Sequence, residues 1–254
     1  MTARIYLTID DSPSRNTQAL VEHMARLDIQ ALMFCRGDRL TQDMPAIVSA
    51  IKSGCVVGNH SYAHRPSGEL SFEQWAEDFE KCEALLDEAY DRANTPRPGK
   101  FYRFPYIDRG DGDRVERRFP VLLEQVAAGQ DVTWPQSSNV KKIQDYLKSK
   151  GCIQPFSKVR HPLYTIPEIR DAADCLFTYS TCDWMLTARH LANPEWPHKD
   201  VASLCRAMDA DPFLNDPAGT NIVLIHDQDD ILPVALALID HMRTRGFIFE
   251  RIVS

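Results

Sequence analysis

Ile5-Tyr6-Leu7-Thr8-Ile9 is a short β-rich run that stops on two adjacent carboxylates, Asp10-Asp11, and then on Ser12-Pro13. Outward from it the chain repeats one unit. A helical pattern over 16–27 follows, then an apolar run at 31–35 with a helical pattern at 44–52, then a run at 56–59 with a long helical pattern at 72–93. Strand-like runs alternating with a helical period are the mark of βα units and a parallel sheet, so an α/β fold is expected. Pro13 and the polar 14–16 cluster form a helix entry, and Ser71 followed by Gln74 has the spacing of a capping box.

Beyond a loop rich in Pro and Gly at 95–99, the aromatic run 101–106 reads as a fourth strand and 112–127 as a helix. From 132 to 173 the periodicity is weak, with several Pro and Lys residues, and this stretch is expected to be an insertion with some helix. Order returns with a strand at 176–181, a helix at 201–208, a strand at 222–225, a helix at 232–244 capped by Gly246, and a last strand at 247–252. At 254 residues the chain is within the range of a single α/β barrel, and one domain is expected.

Hydrophobic residues at 44% and charged residues at 26% describe an ordinary globular protein with a full core. The net charge of -7, with no Lys/Arg block, argues against a nucleic-acid or anionic-membrane partner. Seven cysteines, odd in number and without a C-x-x-C pair, indicate neither a disulfide framework nor a thiolate zinc knuckle. The N-terminus MTARIYLTIDD lacks a cationic region followed by an apolar stretch, so a cytoplasmic location is expected; a chain whose leader had been removed would read the same.

The polar residues cluster at strand ends. Asp10-Asp11 closes the first strand, His60 and His64 follow the third, Arg103 to Tyr106 the fourth, Asp183-Trp184 a later one, and His226-Asp227 the penultimate one. In a parallel barrel these ends share one face, where such folds assemble active sites. The i, i+4 spacing of His60 and His64 would aim both imidazoles to one side of a helical turn. Solvated or core histidines are the alternative. Two carboxylates at the end of an apolar strand are costly unless partnered, so one is a candidate metal ligand and the other a candidate base; an Asx turn or helix N-cap suits Asp-Ser-Pro-Ser equally well. The acidic run Asp227, Asp229 and Asp230 is expected to cap the final helix. His23, His190, His198 and His241 lie without matching carboxylates and receive no role.

Taken together, these segments resemble the polysaccharide deacetylase (NodB-homology, carbohydrate esterase family 4) superfamily. Thr8-Ile9-Asp10-Asp11-Ser12-Pro13 is similar to its T-F-D-D-G-P motif, and His60-Ser61-Tyr62-Ala63-His64 to its H-[ST]-x-x-H motif. Arg103-Phe104-Pro105-Tyr106 resembles R-x-P-Y, Asp183-Trp184 the D-x-x-D-W motif, and Leu224-Ile225-His226 the L-x-H motif, all in the family's order. The resemblance runs from Ile5 to Ile252 and implies a distorted (β/α) barrel. Two departures stand out. Ser12 replaces the family's Gly, which bears on how the backbone turns beside the metal. The stretch between Tyr106 and Asp183 is long, and its unmatched part, 132–173, is where substrate choice is expected to reside.

The resemblance further implies a metal-dependent hydrolase of a non-peptide amide, most simply an N-acetylated sugar or related small molecule. Asp11, His60 and His64 would hold a divalent metal, Zn²⁺ before Co²⁺, Ni²⁺ or Mn²⁺. Asp10 would be the general base, oriented by Arg103; the backbone N–H of Tyr106 would share the oxyanion; His226 would be the general acid, supported by Asp183. Trp184 and Tyr106 offer apolar faces for a sugar or acyl methyl, or, for Trp184, plain core packing. The same site also suits a cyclic imide, ureide or formamide hydrolase, and the same barrel a non-catalytic sugar-binding module. Expected partners are an oligosaccharide or small molecule.

Overall fold

Along β1 (Arg4–Ser12) every residue after Arg4 is buried, and the side chains divide by parity between two apolar environments. Ile5, Leu7 and Ile9 pack outward into a core shared with the helices, whereas Tyr6 points into a second core. The same split governs the strands beside it. Ala31, Met33 and Cys35 face the helices, and Leu32 and Phe34 face the second core; Val223 and Ile225 face out, and Ile222 and Leu224 face in. Such alternation builds a barrel with a packed interior and a helical coat.

The computed structural model describes residues 3–252. After β1 come α1 (Thr17–Arg26), β2 (Ala31–Cys35), α2 (Gly37–Leu40), α3 (Met44–Lys52), β3 (Val56–Asn59), α4 (Phe72–Ala93), α5 (Phe119–Ala127), α6 (Ser138–Ser149), α7 (Pro167–Arg170), β4 (Tyr179–Ser180), α8 (Ala188–Leu191), α9 (Val201–Ala210), β5 (Thr220–His226), α10 (Leu232–Thr244) and β6 (Ile248–Phe249). The sheet runs β3-β2-β1-β5-β4, all parallel, with β6 pairing to the start of β1. No helix among the described residues is long and apolar enough to cross a membrane.

Two irregular segments complete the circuit. Asn59 donates to the carbonyl of Phe101 at 2.7 Å, Arg103 to that of Asn59 at 3.0 Å, and Cys175 to that of Tyr102 at 2.7 Å; Thr178 then donates to the carbonyl of Ile222 on β5. The result is a distorted (β/α) barrel. The expected strand at 101–106 is thereby reduced to bridges at Tyr102, because Pro105 has no N–H to offer and Tyr106 turns to φ 55°. The expected strand at 176–181 shortens to Tyr179–Ser180 because its backbone changes partner midway, from Tyr102 to β5. The last strand is likewise only Ile248–Phe249.

The helix expected from 112 starts later. Gly112 is left-handed, a 3₁₀ turn covers Val115–Arg118, and Pro120 in the first turn of α5 sets the true start. The Ser71/Gln74 capping box at the head of α4 is formed in both directions, an arrangement that contributes about 1 kcal/mol.

The 132–173 stretch is bound into the barrel wall. Ile143 and Leu147 of α6 join Trp75, Phe79, Tyr102 and Phe104 in an aromatic cluster. The buried Gln144 amide donates to Asp174 at 2.7 Å and accepts from the N–H of Ala173 at 2.9 Å. All seven cysteines are free thiols, five of them buried.

Candidate metal and catalytic centre

The carboxyl ends of the strands carry the polar residues. Asp10 is the last inward-facing side chain of β1, and its register partner across to β5 is His226. Arg103, 1% exposed, fills the barrel beneath them. It donates from Nη1 to Asp10 Oδ1 at 2.9 Å and to Thr8 Oγ1 at 2.9 Å, and from Nε to the carbonyl of Cys175 at 2.8 Å. Its guanidinium lies 4.3 Å from the Phe34 ring centre, so a planar cation is sandwiched between an apolar face and its counter-ion.

The register of β1 on β2 slips between Asp10 and Ser12, and Asp11 at that slip has φ 71°. Strict alternation would turn Asp11 towards the helices; the bulge re-aims it. The left-handed residue is Asp11, and Ser12 is not among the positive-φ positions, so a serine at 12 meets no backbone penalty. The Asp11 carboxylate is buried. Its Oδ2 accepts from Gln228 Nε2 at 2.6 Å, while Oδ1 lies 3.1 Å from His64 Nε2 and 3.9 Å from His60 Nε2. Neither contact is a hydrogen bond, and Oδ1 is left without one.

His60 and His64 do not share a helical turn, contrary to the expectation from their spacing. They lie in a loop that Asn59 starts by accepting from the N–H of Ser61, with Ser61 at φ 64° and His64 at φ 53°. Asp78 of α4 accepts from the N–H groups of Tyr62 and Ala63, and Ser61 Oγ accepts from that of His64. These side-chain acceptors satisfy the backbone that a helix would have satisfied internally, and they bring the two rings to 4.9 Å. His60 Nδ1 stands 2.9 Å from the carbonyl of Arg103; a carbonyl only accepts, so that nitrogen carries the proton and Nε2 offers its lone pair.

Burial of His64 opposes its charge more strongly than Asp11 favours it, which holds its pKa at about 3 and the ring neutral. For Asp11, burial acts against ionisation, but His64, His60 and His226 together with the Gln228 hydrogen bond outweigh it, and the carboxyl titrates well below the usual range. One carboxylate and two imidazoles therefore present one donor atom each within 4.8 Å of one another. That donor set, with a buried oxygen lacking any partner, fits a divalent cation.

On the other flank Asp183, fully buried, is positioned by Cys182 at φ 57°. Its Oδ1 is 2.7 Å from His226 Nδ1 and its Oδ2 accepts from the N–H of His226 at 2.7 Å. Burial of His226 opposes its charge, but Asp183, and beyond it Asp11 and Asp10, outweigh this and raise its pKa to about 9. The ring is cationic at neutral pH. Tyr106, 40% exposed, lies with its ring 4.8 Å from that of His64, and the Arg114 guanidinium stands over the Tyr106 ring at 5.2 Å. Trp184 is half-buried and meets His190 and Trp196 edge-on, each at 5.1 Å.

Two further expectations are corrected. The Asp227–Asp230 run does not cap α10, whose N-cap is Ile231 without a side-chain bond. Asp227 accepts instead from the Ser14 and Thr17 hydroxyls, Asp229 from the N–H of Arg15, and Asp230 from that of Ala188, so the run ties the loop after β5 to neighbouring loops. His23 and His241 do have carboxylate partners, Asp240 and Asp209, each at 2.9 Å on the surface. Gln228 and Arg39, which donates to the carbonyl of Asp11 at 2.7 Å, were not legible as site residues, since nothing in their sequence neighbourhood distinguishes them from surface polar groups.

Fold and centre together define a distorted (β/α) barrel with an Asp-His-His cluster able to hold a divalent cation at the carboxyl ends of its strands. Residues 2–114 match the profile of the polysaccharide deacetylase family, a stretch that includes Asp10, Asp11, His60, His64, Arg103 and Tyr106. Over that stretch the chain is similar to the polysaccharide deacetylase family. It is 28% identical over 110 residues to a bifunctional xylanase/deacetylase of Pseudobutyrivibrio xylanivorans, covering 41% of this chain and 16% of that one. It is 28% identical over 125 residues to a peptidoglycan-N-acetylglucosamine deacetylase of Bacillus cereus, covering 48% of this chain and 42% of that one. The chain thus spans less than half the length of these curated relatives. A family 4 carbohydrate esterase from Streptomyces lividans, solved with acetate, superposes with a TM-score of 0.59 at 16% identity over 98% of this chain and 93% of that one, a likeness of fold.

Proposed function

We propose that this protein is a metal-dependent amide hydrolase that removes the acetyl group of an N-acetylated sugar. The observation that carries the reading is that Asp10, held by Arg103, and His226, held by Asp183, are register partners on adjoining strands beside the Asp11-His60-His64 cluster, which supports their reading as the two proton carriers. The kinship with deacetylases favours a sugar amide as substrate. Two imidazoles with one carboxylate favour Zn²⁺, with Co²⁺, Ni²⁺ and Mn²⁺ compatible.

When bound, the cation supplies Lewis acidity to the carbonyl and acidifies water. The chain's own groups do the rest. Arg103 occupies Asp10 Oδ1, which leaves Oδ2, 3.7 Å from His60 Nε2, facing the cluster to take a proton from the attacking water. The backbone N–H of Tyr106 is assigned to the oxyanion. His226, cationic and with Nδ1 engaged by Asp183, gives its Nε2 proton to the departing amine, which leaves neutral. The 132–173 segment acts on substrate choice indirectly: Asn139 of α6 donates to the carbonyl of Gly110 at 2.7 Å and so braces the loop after Tyr106.

The test is bound metal and acetate release from N-acetylated oligosaccharides for wild type, Asp11→Ala and Asp10→Asn. Metal lost only in Asp11→Ala, with release abolished in both variants, is the expected result. A wild type that stays inactive and metal-free when supplied with Zn²⁺ would overturn the reading.

A further inference from the structure

We propose that Gln228 is a positioning residue that makes Asp11 a one-oxygen ligand. The inference depends on the reading that Asp11, His60 and His64 hold a divalent cation. A carboxylate at the end of a short side chain can present either oxygen, or both, to a cation. Here the choice is made in advance. Gln228 Nε2 binds Oδ2 at 2.6 Å, and Oδ1 alone is left to face the imidazoles, buried and with no hydrogen bond of its own.

Both ends of this contact are anchored. On the Asp11 side, Arg39 Nη1 holds the carbonyl of the left-handed residue at 2.7 Å. On the Gln228 side, Asp227 next to it is clamped by the hydroxyls of Ser14 and Thr17, and its N–H donates to the carbonyl of Asp10 at 2.8 Å. Three consecutive residues, the last of β5 and the two after it, thus divide the work: His226 carries a proton, Asp227 fastens the loop to the end of β1, and Gln228 orients the ligand. Hydrogen-bonded partners of metal ligands typically change affinity by about 10–100-fold when removed.

Zinc affinity is measured by competition with a chromophoric chelator, alongside the melting temperature of the metal-free protein, for wild type, Gln228→Met and Gln228→Asn. Methionine keeps the length and loses the donor; asparagine keeps the donor on a shorter stem. The expected result is an affinity lower by roughly 10–100-fold in Gln228→Met, a smaller loss in Gln228→Asn, and unchanged metal-free melting. Wild-type affinity in Gln228→Met, or an equal loss in both variants with lowered metal-free melting, would overturn the assignment. A wild type that binds no zinc would remove the metal reading itself, an outcome distinct from either.

Discussion

Asp183 grips His226 at two points, Oδ1 at the ring Nδ1 and Oδ2 at the backbone N–H, both at 2.7 Å. The ring can neither flip nor exchange tautomer without losing a charge-assisted bond. Asp183→Asn keeps the shape but removes the anion that holds the ring cationic and offers an amide N–H to Nδ1, which leaves a neutral imidazole whose Nε2–H is a feeble acid. The expected outcome is a kcat lower by about 10²-fold or more with KM little changed, since general acids contribute about 10²–10⁴. Steady-state kinetics on an N-acetylated oligosaccharide checks it.

The metal-free protein should be most stable near pH 6.5. His226 has a folded pKa of about 9, above its ordinary 6.5, so its contribution is complete below 6.5 and is lost as pH rises through 9. His161 is pushed down to about 4 and His64 to about 3 by burial; their contribution is complete above 6.5 and is lost as pH falls through those values. Denaturant midpoints from pH 4 to 10 test this. An alkaline decline equally steep in Asp183→Asn would contradict the part assigned to His226.

Arg103 and Asp10 are both buried, and truncating one strands the other. Arg103→Met is expected to cost about 3–5 kcal/mol, while Arg103→Met with Asp10→Leu recovers much of that, because an apolar pair of similar volume tolerates the site. Urea unfolding separates the two. The double variant should be folded and without acetate release.

Zinc should stabilise the fold by mass action, by about 2.7 kcal/mol when free metal is 100 times its dissociation constant. The shift in unfolding midpoint should vanish in His64→Ala, which removes one of the three donors.

Ser12→Gly should bring no gain in activity. The left-handed residue at this turn is Asp11, so glycine at 12 relieves nothing and adds unfolded-state entropy, at a cost of about 1 kcal/mol or less. A several-fold rise in kcat would show that the serine side chain, rather than the backbone, limits the site.

The strongest periodic signals were legible to the residue. The strands Ala31–Cys35 and Val56–Asn59 and the helices Met44–Lys52, Phe72–Ala93 and Leu232–Thr244 form where the pattern places them. The gathering of Asp10, Asp11, His60, His64, Arg103, Asp183 and His226 followed from a parallel barrel having one carboxyl face. Three things were not legible. Residues 101–103 and 174–178 close the barrel through scattered bonds with two partners, which leave no period in the sequence. The His60–His64 loop owes its shape to Asn59 and Asp78, one of them on a distant helix. Gln228 acquires its role only through a contact across 217 positions.

The pairing of Asp10 with His226 across β1 and β5 means that the spacing of the proposed base and acid is inherited from the sheet. Neighbouring strands stand about 4.8 Å apart whatever their side chains. A reacting carbon with its two proton transfers therefore meets a gauge that point mutation in the strands cannot reset. Diversification of substrate is confined to what the surrounding loops admit to that gap.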